Sequence, residues 1–332
     1  MVMYKVVITD YEYSSLAPEK EVLRKIGVEL TAVQCQTEEE VIEACKDADA
    51  LLNQYAPITR KVIEKLENCK VIARFGVGVN TIDIGAATEK GIIVSNVTDY
   101  CIDEVSDHAF ALLISAARKV VLLNKEVKKG VWNFNVGVPI FRLKGRVLGL
   151  VGFGQIPQAL AKKAQAFGLQ VKAFDPFVPI DVAEKLNVQL LSLSELCKVS
   201  DFISVHAPLN EHTCGMIGDA QFDLMKKEAF IINTARGAVI NEKALIKALQ
   251  EEKVAGAAID VVEQEPINLD NPLLKMENVI INPHVAWYSE EAQEELKRKT
   301  AQNVVDVLSG YFPRYIVNNS VKDLLDLKVM CK

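Results

Sequence analysis

Short apolar runs alternate with stretches of helical periodicity along most of the chain. Over the first hundred residues the runs at 5–9, 29–33, 50–52, 71–74 and 92–96 predict strands buried on both faces. Helical spacing at 19–26, 38–45 and 60–66 separates the first four of them. Such alternation predicts a parallel sheet covered by helices. A longer helix is predicted over about 102–118, with Val105, Ala109, Leu112, Leu113 and Ala116 as its apolar stripe. Asp103 and Glu104 fall in its first turn, where carboxylates meet the positive end of the helix dipole. Residues 119–146 interrupt the alternation and hold Trp132, Phe134 and Phe141 among few regular signals. An arm of that length is an ordered loop or a contact with a second copy, and the contact is the favoured reading.

A second alternating series begins at Val147-Leu148-Gly149-Leu150-Val151, a buried strand followed at once by Gly152-Phe153-Gly154-Gln155-Ile156-Pro157. A helix is predicted over 157–167, striped by Leu160, Ala161, Ala164 and Phe167, and the strand at 171–174 ends on Asp175. Glycine serves where a turn is tight and where backbone N–H groups approach a pyrophosphate. An acid at Asp175 accepts from a ribose 2′-hydroxyl and repels a 2′-phosphate, which predicts NAD as the dinucleotide. The third glycine of the usual G-x-G-x-x-G pattern is Pro157 here. Proline is tolerated in a first helical turn, so a shifted helix start is expected rather than a lost site.

Later strands are predicted at 202–206, 229–234, 256–260 and 279–282. A final helix over 289–308 has Glu290 and Glu291 in its first turn and stops at Gly310, and a returning strand is predicted at 315–318. The expected fold is α/β, two tandem doubly wound parallel sheets: a Rossmann dinucleotide domain and a flavodoxin-like domain. The expected division is 1–100 with 288–332, a discontinuous substrate domain, and 101–287, the dinucleotide domain.

A length of 332 residues favours two cores, and 50% apolar with 25% charged residues is ordinary for a globular protein. A net charge of −6 without a basic block argues against a nucleic-acid surface. Cys35, Cys45, Cys69, Cys101, Cys197, Cys214 and Cys331 are scattered with no C-x-x-C, as for thiols in a reducing compartment. Tyr4-Lys5-Val6-Val7-Ile8 reads as a strand rather than a leader, and no apolar run is long enough to span a bilayer. A cytoplasmic location is expected, with no membrane or nucleic-acid partner.

Four histidines are present: His108, His206, His212 and His284. No metal-ligand spacing and no G-x-S-x-G elbow occurs, so no metal is expected. In open α/β sheets ligands lie at the carboxyl ends of strands. There Arg236 follows Ile231-Ile232-Asn233-Thr234-Ala235, Glu265 follows Asp260, and His284 follows Ile280-Ile281-Asn282-Pro283. Each alone reads as a surface cation, a loop acid or a turn residue. Their occurrence at successive strand ends favours a shared role. His108 reads as a packing residue, His206 as a strand end and His212 as exposed.

Thr234-Ala235-Arg236-Gly237, Asp260-Val261-x-x-x-Glu265-Pro266, Asn282-Pro283-His284 and Arg74-Phe75-Gly76-Val77-Gly78-Val79-Asn80 resemble the signatures of the D-isomer-specific 2-hydroxyacid dehydrogenases, nearly end to end. Pro283-His284-Val285-Ala286-Trp287-Tyr288-Ser289-Glu290 and Leu209-Asn210-Glu211-His212 resemble most the C-terminal-binding protein branch, which includes NADH-sensing corepressors.

The resemblance implies NAD-dependent reduction of a 2-oxo acid to a D-2-hydroxy acid, or the reverse, and the arm at 119–146 adds the expectation of a homodimer. Arg236 would clamp the carboxylate and keto oxygen, Val77 and Gly78 would offer backbone N–H groups, His284 would be the acid–base and Glu265 its partner. Cofactor contacts would come from Gly152, Gly154, Gln155, Ile156, Asp175, Ala207, Pro208, Thr213, Thr234, Ala235, Arg236, Asp260 and His284, with Asp260 on the nicotinamide amide. Trp287 would wall the substrate side-chain pocket or pack at a hinge. An NADH-sensing scaffold is the alternative of another class, though it does not need Arg236, Glu265 and His284 intact. Within the enzyme class, phosphoglycerate dehydrogenase and glyoxylate or hydroxypyruvate reductase stay open. No extra phosphate site or room for a regulatory domain is read, and Glu265 argues against a formate dehydrogenase, whose histidine pairs with glutamine.

Overall fold

The structure is a computed structural model and describes residues 4–329. The chain divides into two compact units: residues up to Tyr100 with those from Ser289 onward, and Cys101–Tyr288. Cys331 lies outside the described residues, and the other six cysteines are free thiols.

The first unit alternates β1 (Tyr4–Ile8), α1 (Ala17–Leu23), β2 (Val28–Ala32), α2 (Glu38–Cys45), β3 (Ala50–Asn53), α3 (Arg60–Lys65), β4 (Val71–Arg74), α4 (Ile84–Glu89) and β5 (Ile93–Ser95). Its sheet is parallel, in the order β2-β1-β3-β4-β5, the flavodoxin-like arrangement. Val7, Leu51, Ile72 and Val94 from four strands are fully buried in one apolar cluster, which is why these strands read as continuous apolar runs. The start of α2 is set by a capping box between Thr37 and Glu40.

The second unit begins with two helices, α5 (Ile102–Ala117) and α6 (Val120–Lys128), and then winds β6 (Val147–Val151), α7 (Gln155–Ala166), β7 (Gln170–Phe174), α8 (Ile180–Glu184), β8 (Gln189–Leu190), α9 (Leu193–Val199) and β9 (Phe202–Val205). It continues through α10 (Asp219–Phe222), β10 (Phe230–Asn233), α11 (Glu242–Gln250), β11 (Gly256–Ile259) and β12 (Val279–Ile281). The parallel order β12-β11-β10-β9-β6-β7-β8 contains the Rossmann reversal beside β6. Helix α5 packs on the sheet through Ala109, Leu112 and Leu113, against Leu148, Ile232 and Ala258.

Three expectations change. The arm at 119–146 opens with α6, whose residues are all at least partly exposed. Helix α7 starts at Gln155, two residues before Pro157, which therefore occupies its third position. That N–H would have had no intrahelical partner, so proline costs no bond there. Residues 315–318 do not form a strand: Val317 donates to the Val94 carbonyl (2.9 Å), but the Asn318 side chain takes over next, accepting from Val94 N–H (2.9 Å). The chain returns there through α12 (Glu290–Leu308), capped by Ser289.

Candidate active site

The turn after β6 is built on Gly152, whose φ is +90° and whose Cβ, if present, would lie 3.0 Å from Ala207 N and from His206 C. Glycine is required there because the turn bends left-handedly against the backbone that follows β9. Gly154 caps α7 without a side-chain acceptor, and a Cβ on it would meet nothing within 4 Å. The N–H groups of Gln155 and Ile156 belong to the first turn of this helix, at the positive end of its dipole, a position suited to a phosphate.

Asp175 directly follows β7 and organises this turn. One carboxylate oxygen accepts from Phe153 N–H (2.8 Å), and the other accepts from Phe177 and Val178 N–H (2.8 and 3.1 Å). A carboxylate offers about four lone-pair directions, so an acceptor remains for a hydroxyl. Along the loop after β9, Ala207 is buried and Pro208 exposed, and the Thr213 hydroxyl donates to the Pro208 carbonyl (2.5 Å). At the end of β10, the Thr234 hydroxyl is buried with no hydrogen-bond partner among the described residues, which leaves it a polar valence to offer. These features fit a bound dinucleotide.

Arg236 is placed by Asn233, which patterning alone did not single out. The buried Asn233 side chain accepts from Ala235 N–H (3.0 Å) and donates to the Arg236 carbonyl (2.9 Å). The next residue must be glycine, since a Cβ on Gly237 would collide with the Val262 backbone. Arg236 itself donates from Nη1 to the Ala235 carbonyl (2.6 Å).

Glu265 and His284 are brought together: His284 Nδ1 lies 2.7 Å from Glu265 Oε2, while Glu265 Oε1 accepts from Val262 N–H (3.2 Å). Burial works against the Glu265 charge, but the His284 hydrogen bond and charge, Val262 N–H and the nearby Arg236 cation hold its carboxyl below the ordinary value. His284 has a φ of +54°, unusual for a residue with a Cβ. Asp260 secures that turn, as its carbonyl accepts from His284 N–H (2.8 Å) and its carboxylate from Val285 and Ala286 N–H (3.0 and 2.8 Å). Trp287 follows, edge-to-face with Tyr288 at 5.6 Å between ring centroids. Arg236, Glu265 and His284 therefore sit past the adjacent strands β10, β11 and β12 of one sheet. Val77 and Gly78 follow β4 in the first unit, where the Val77 carbonyl accepts from the Asn96 side chain (2.7 Å).

The other histidines differ. His212 is exposed beside Glu211. His206 contacts the Ser204 hydroxyl through Nε2 (2.8 Å), and although the residue is only partly buried, desolvation pushes its imidazole down to about 3. His108, on α5, lies 3.7 Å through Nε2 from Asp260 Oδ1, a proximity that the packing reading does not anticipate. No group of three or more His, Cys, Asp or Glu that could hold a metal occurs among the described residues.

Comparison with known proteins places this geometry. Residues 110–286 match the family model described as D-isomer specific 2-hydroxyacid dehydrogenase, NAD binding domain. A D-3-phosphoglycerate dehydrogenase of Methanocaldococcus jannaschii is 42% identical over 95% of this chain, which spans 60% of that relative's length. A glyoxylate reductase of Korarchaeum cryptofilum is 40% identical over 85% of this chain and 86% of its own. Among solved structures, a D-lactate dehydrogenase from Aquifex aeolicus complexed with NAD and lactic acid superposes with a TM-score of 0.85 at 27% identity, covering 95% of this chain and 99% of that one.

Proposed function

The chain belongs to the D-isomer-specific 2-hydroxyacid dehydrogenase family, and on that footing we propose that it is an NAD-dependent oxidoreductase interconverting a 2-oxo acid and a D-2-hydroxy acid. The observation that carries this reading is the 2.7 Å contact between His284 and Glu265 at the strand edge that also presents Arg236. The relatives named above are all dehydrogenases or reductases, which favours an enzyme over a scaffold.

NAD, when bound, supplies or accepts the hydride. Arg236 neutralises and orients the substrate carboxylate with its planar fork. His284 as imidazolium donates its Nε2 proton to the keto oxygen in reduction and, neutral, takes the hydroxyl proton in oxidation. Glu265 fixes the ring through Nδ1, so that Nε2 is the atom left to exchange the proton. Asp175 would offer its remaining acceptor position to the adenosine ribose, the first-turn N–H groups of Gln155 and Ile156 would hold the pyrophosphate, and Thr234 would supply its hydroxyl.

We assign the exposed arm to a homodimer contact. Trp132 and Phe134 are 90% and 80% exposed, and a cavity of about 490 Å³ lined by Val121, Pro139, Phe141, Phe202 and Phe230 lies on the same unit. A patch of this kind marks an association surface. A cytoplasmic location accords with six free thiols, and among the described residues no helix is long and apolar enough to cross a membrane.

NADH oxidation with glyoxylate, hydroxypyruvate, pyruvate, 3-phosphohydroxypyruvate and longer 2-oxo acids tests the proposal. At least one should turn over, and His284→Ala should lower its kcat by roughly 10²–10⁴ with NADH affinity little changed. Binding of NADH without turnover of any member would favour the scaffold instead.

A further inference from the structure

Three consecutive N–H groups, those of His284, Val285 and Ala286, all donate to one residue, Asp260. Together they close the left-handed turn at His284, a backbone conformation that is strained for a residue with a side chain. The geometry that sets His284 against Glu265 therefore depends on where the Asp260 carboxylate is held.

That carboxylate is fully buried, and a buried anion persists only where surrounding dipoles or cations compensate it. Two N–H groups come from the turn itself. From the other side comes His108, whose Nε2 lies 3.7 Å from Oδ1. The distance exceeds a hydrogen bond, yet this nitrogen is buried and has no hydrogen-bond partner among the described residues, and the facing oxygen is an acceptor. His108 also sits on a rigid element: its neighbour Ala109 and, one turn on, Leu112 and Leu113 are buried between α5 and the sheet. A group anchored there can fix a loop more firmly than another loop could.

We infer that His108 is a positioning residue for the proposed reduction, acting through the Asp260 carboxylate to hold the 284–286 turn and so the aim of His284. The inference rests on the reading of His284 as the acid–base, and it gives a function to a histidine that touches neither Glu265 nor Arg236 among the described contacts.

His108→Leu and His108→Gln of the full chain test it, the second because its amide keeps a donor near the position of Nε2. Three quantities are read: kcat with the 2-oxo acid that the unmodified protein uses best, NADH dissociation by fluorescence, and the His284 Nδ1–H resonance in ¹⁵N-edited spectra without substrate. His108→Leu should lower kcat roughly 10–100-fold, as expected when a reacting group is displaced by about 1 Å, with NADH affinity reduced by a clearly smaller factor than kcat. It should also lose the hydrogen-bonded His284 resonance. His108→Gln should restore most of both. If His108→Leu does not fold, His108→Asn, whose shorter amide cannot reach Oδ1, takes its place. An unchanged kcat, an unchanged His284 resonance, or a Gln variant as impaired as Leu would overturn the inference. Failure of the acid–base reading is separable, because it appears as full activity of His284→Ala while the resonance still reports on the turn.

Discussion

Glu265→Gln keeps the size and one acceptor of the side chain but removes the negative charge 2.7 Å from His284 Nδ1. Opposite charges about 4 Å apart attract by about 1 kcal/mol in water and about 4 kcal/mol at an effective dielectric near 20. The two side chains are 31% and 38% exposed, so solvent screening places the loss toward the lower end, about 1–2 kcal/mol. The basic limb of 2-oxo acid reduction should therefore move to lower pH, because the proton donor loses its supporting anion. Profiles of kcat against pH for both proteins measure this directly. A shift to higher pH, or a fall in kcat with the limb unmoved, would refute the role given to Glu265. Stability supplies a second reading. The folded state holds the Glu265 carboxyl below its ordinary value of 4.5, so near that pH the unfolded chain binds more protons. The stabilisation is therefore complete above the ordinary value and fades as pH falls through the lowered one. The Tm difference between the unmodified protein and Glu265→Gln should accordingly shrink on going from about pH 6 toward pH 3.

The unmodified protein should prefer NADH over NADPH by at least roughly tenfold, about 1.4 kcal/mol, and Asp175→Ala should narrow that gap in paired kinetic assays. Because Asp175 also accepts from Phe153, Phe177 and Val178 N–H, the same variant should weaken NADH binding, and equal use of both cofactors before substitution would exclude the ribose role. If Trp287 walls the substrate tail, Trp287→Ala should lower kcat/KM for a long apolar 2-oxo acid more than for glyoxylate, by on the order of 1 kcal/mol per buried methylene. Equal losses would assign the ring to support of the 284–286 turn. Trp132→Glu should convert a dimer to a monomer in equilibrium sedimentation, and an unchanged mass would remove the arm from the interface.

The elements most legible in the sequence are those whose side chains meet a core. Strand β4 occupies the predicted residues because Val71, Ile72 and Ala73 are fully buried ahead of the partly buried Arg74 that ends it. Helix α2 is equally clear, its start fixed by Thr37 and Glu40. Helix α6 went unread for the opposite reason: none of its residues is buried, and Val120, Val121 and Val127 are exposed, so its apolar spacing marks no inward face. The Ile316-Val317 pair looks like a strand by composition, yet strand pairing needs a run of backbone partners, and the Asn318 side chain satisfies Val94 N–H instead.

The candidate site divides in the same way. Arg236, Glu265 and His284 could be found because adjacent parallel strands bring their carboxyl ends to one edge, so a residue's place in the chain predicts its place in space. No such rule connects a helix residue to a strand end. His108 meets Asp260 only because Ala109, Leu112 and Leu113 set the rotation and height of α5 over the sheet, which is a consequence of packing rather than of spacing. The turn at His284 is similarly hidden, since a positive φ is announced in sequence by glycine or asparagine and not by a histidine after proline. What holds His284 there is Asp260, more than twenty positions earlier, whose carbonyl accepts from His284 N–H and whose carboxylate accepts from Val285 and Ala286 N–H. Direct contacts with substrate are thus the legible part of such a site, and the groups that aim them emerge only with the fold.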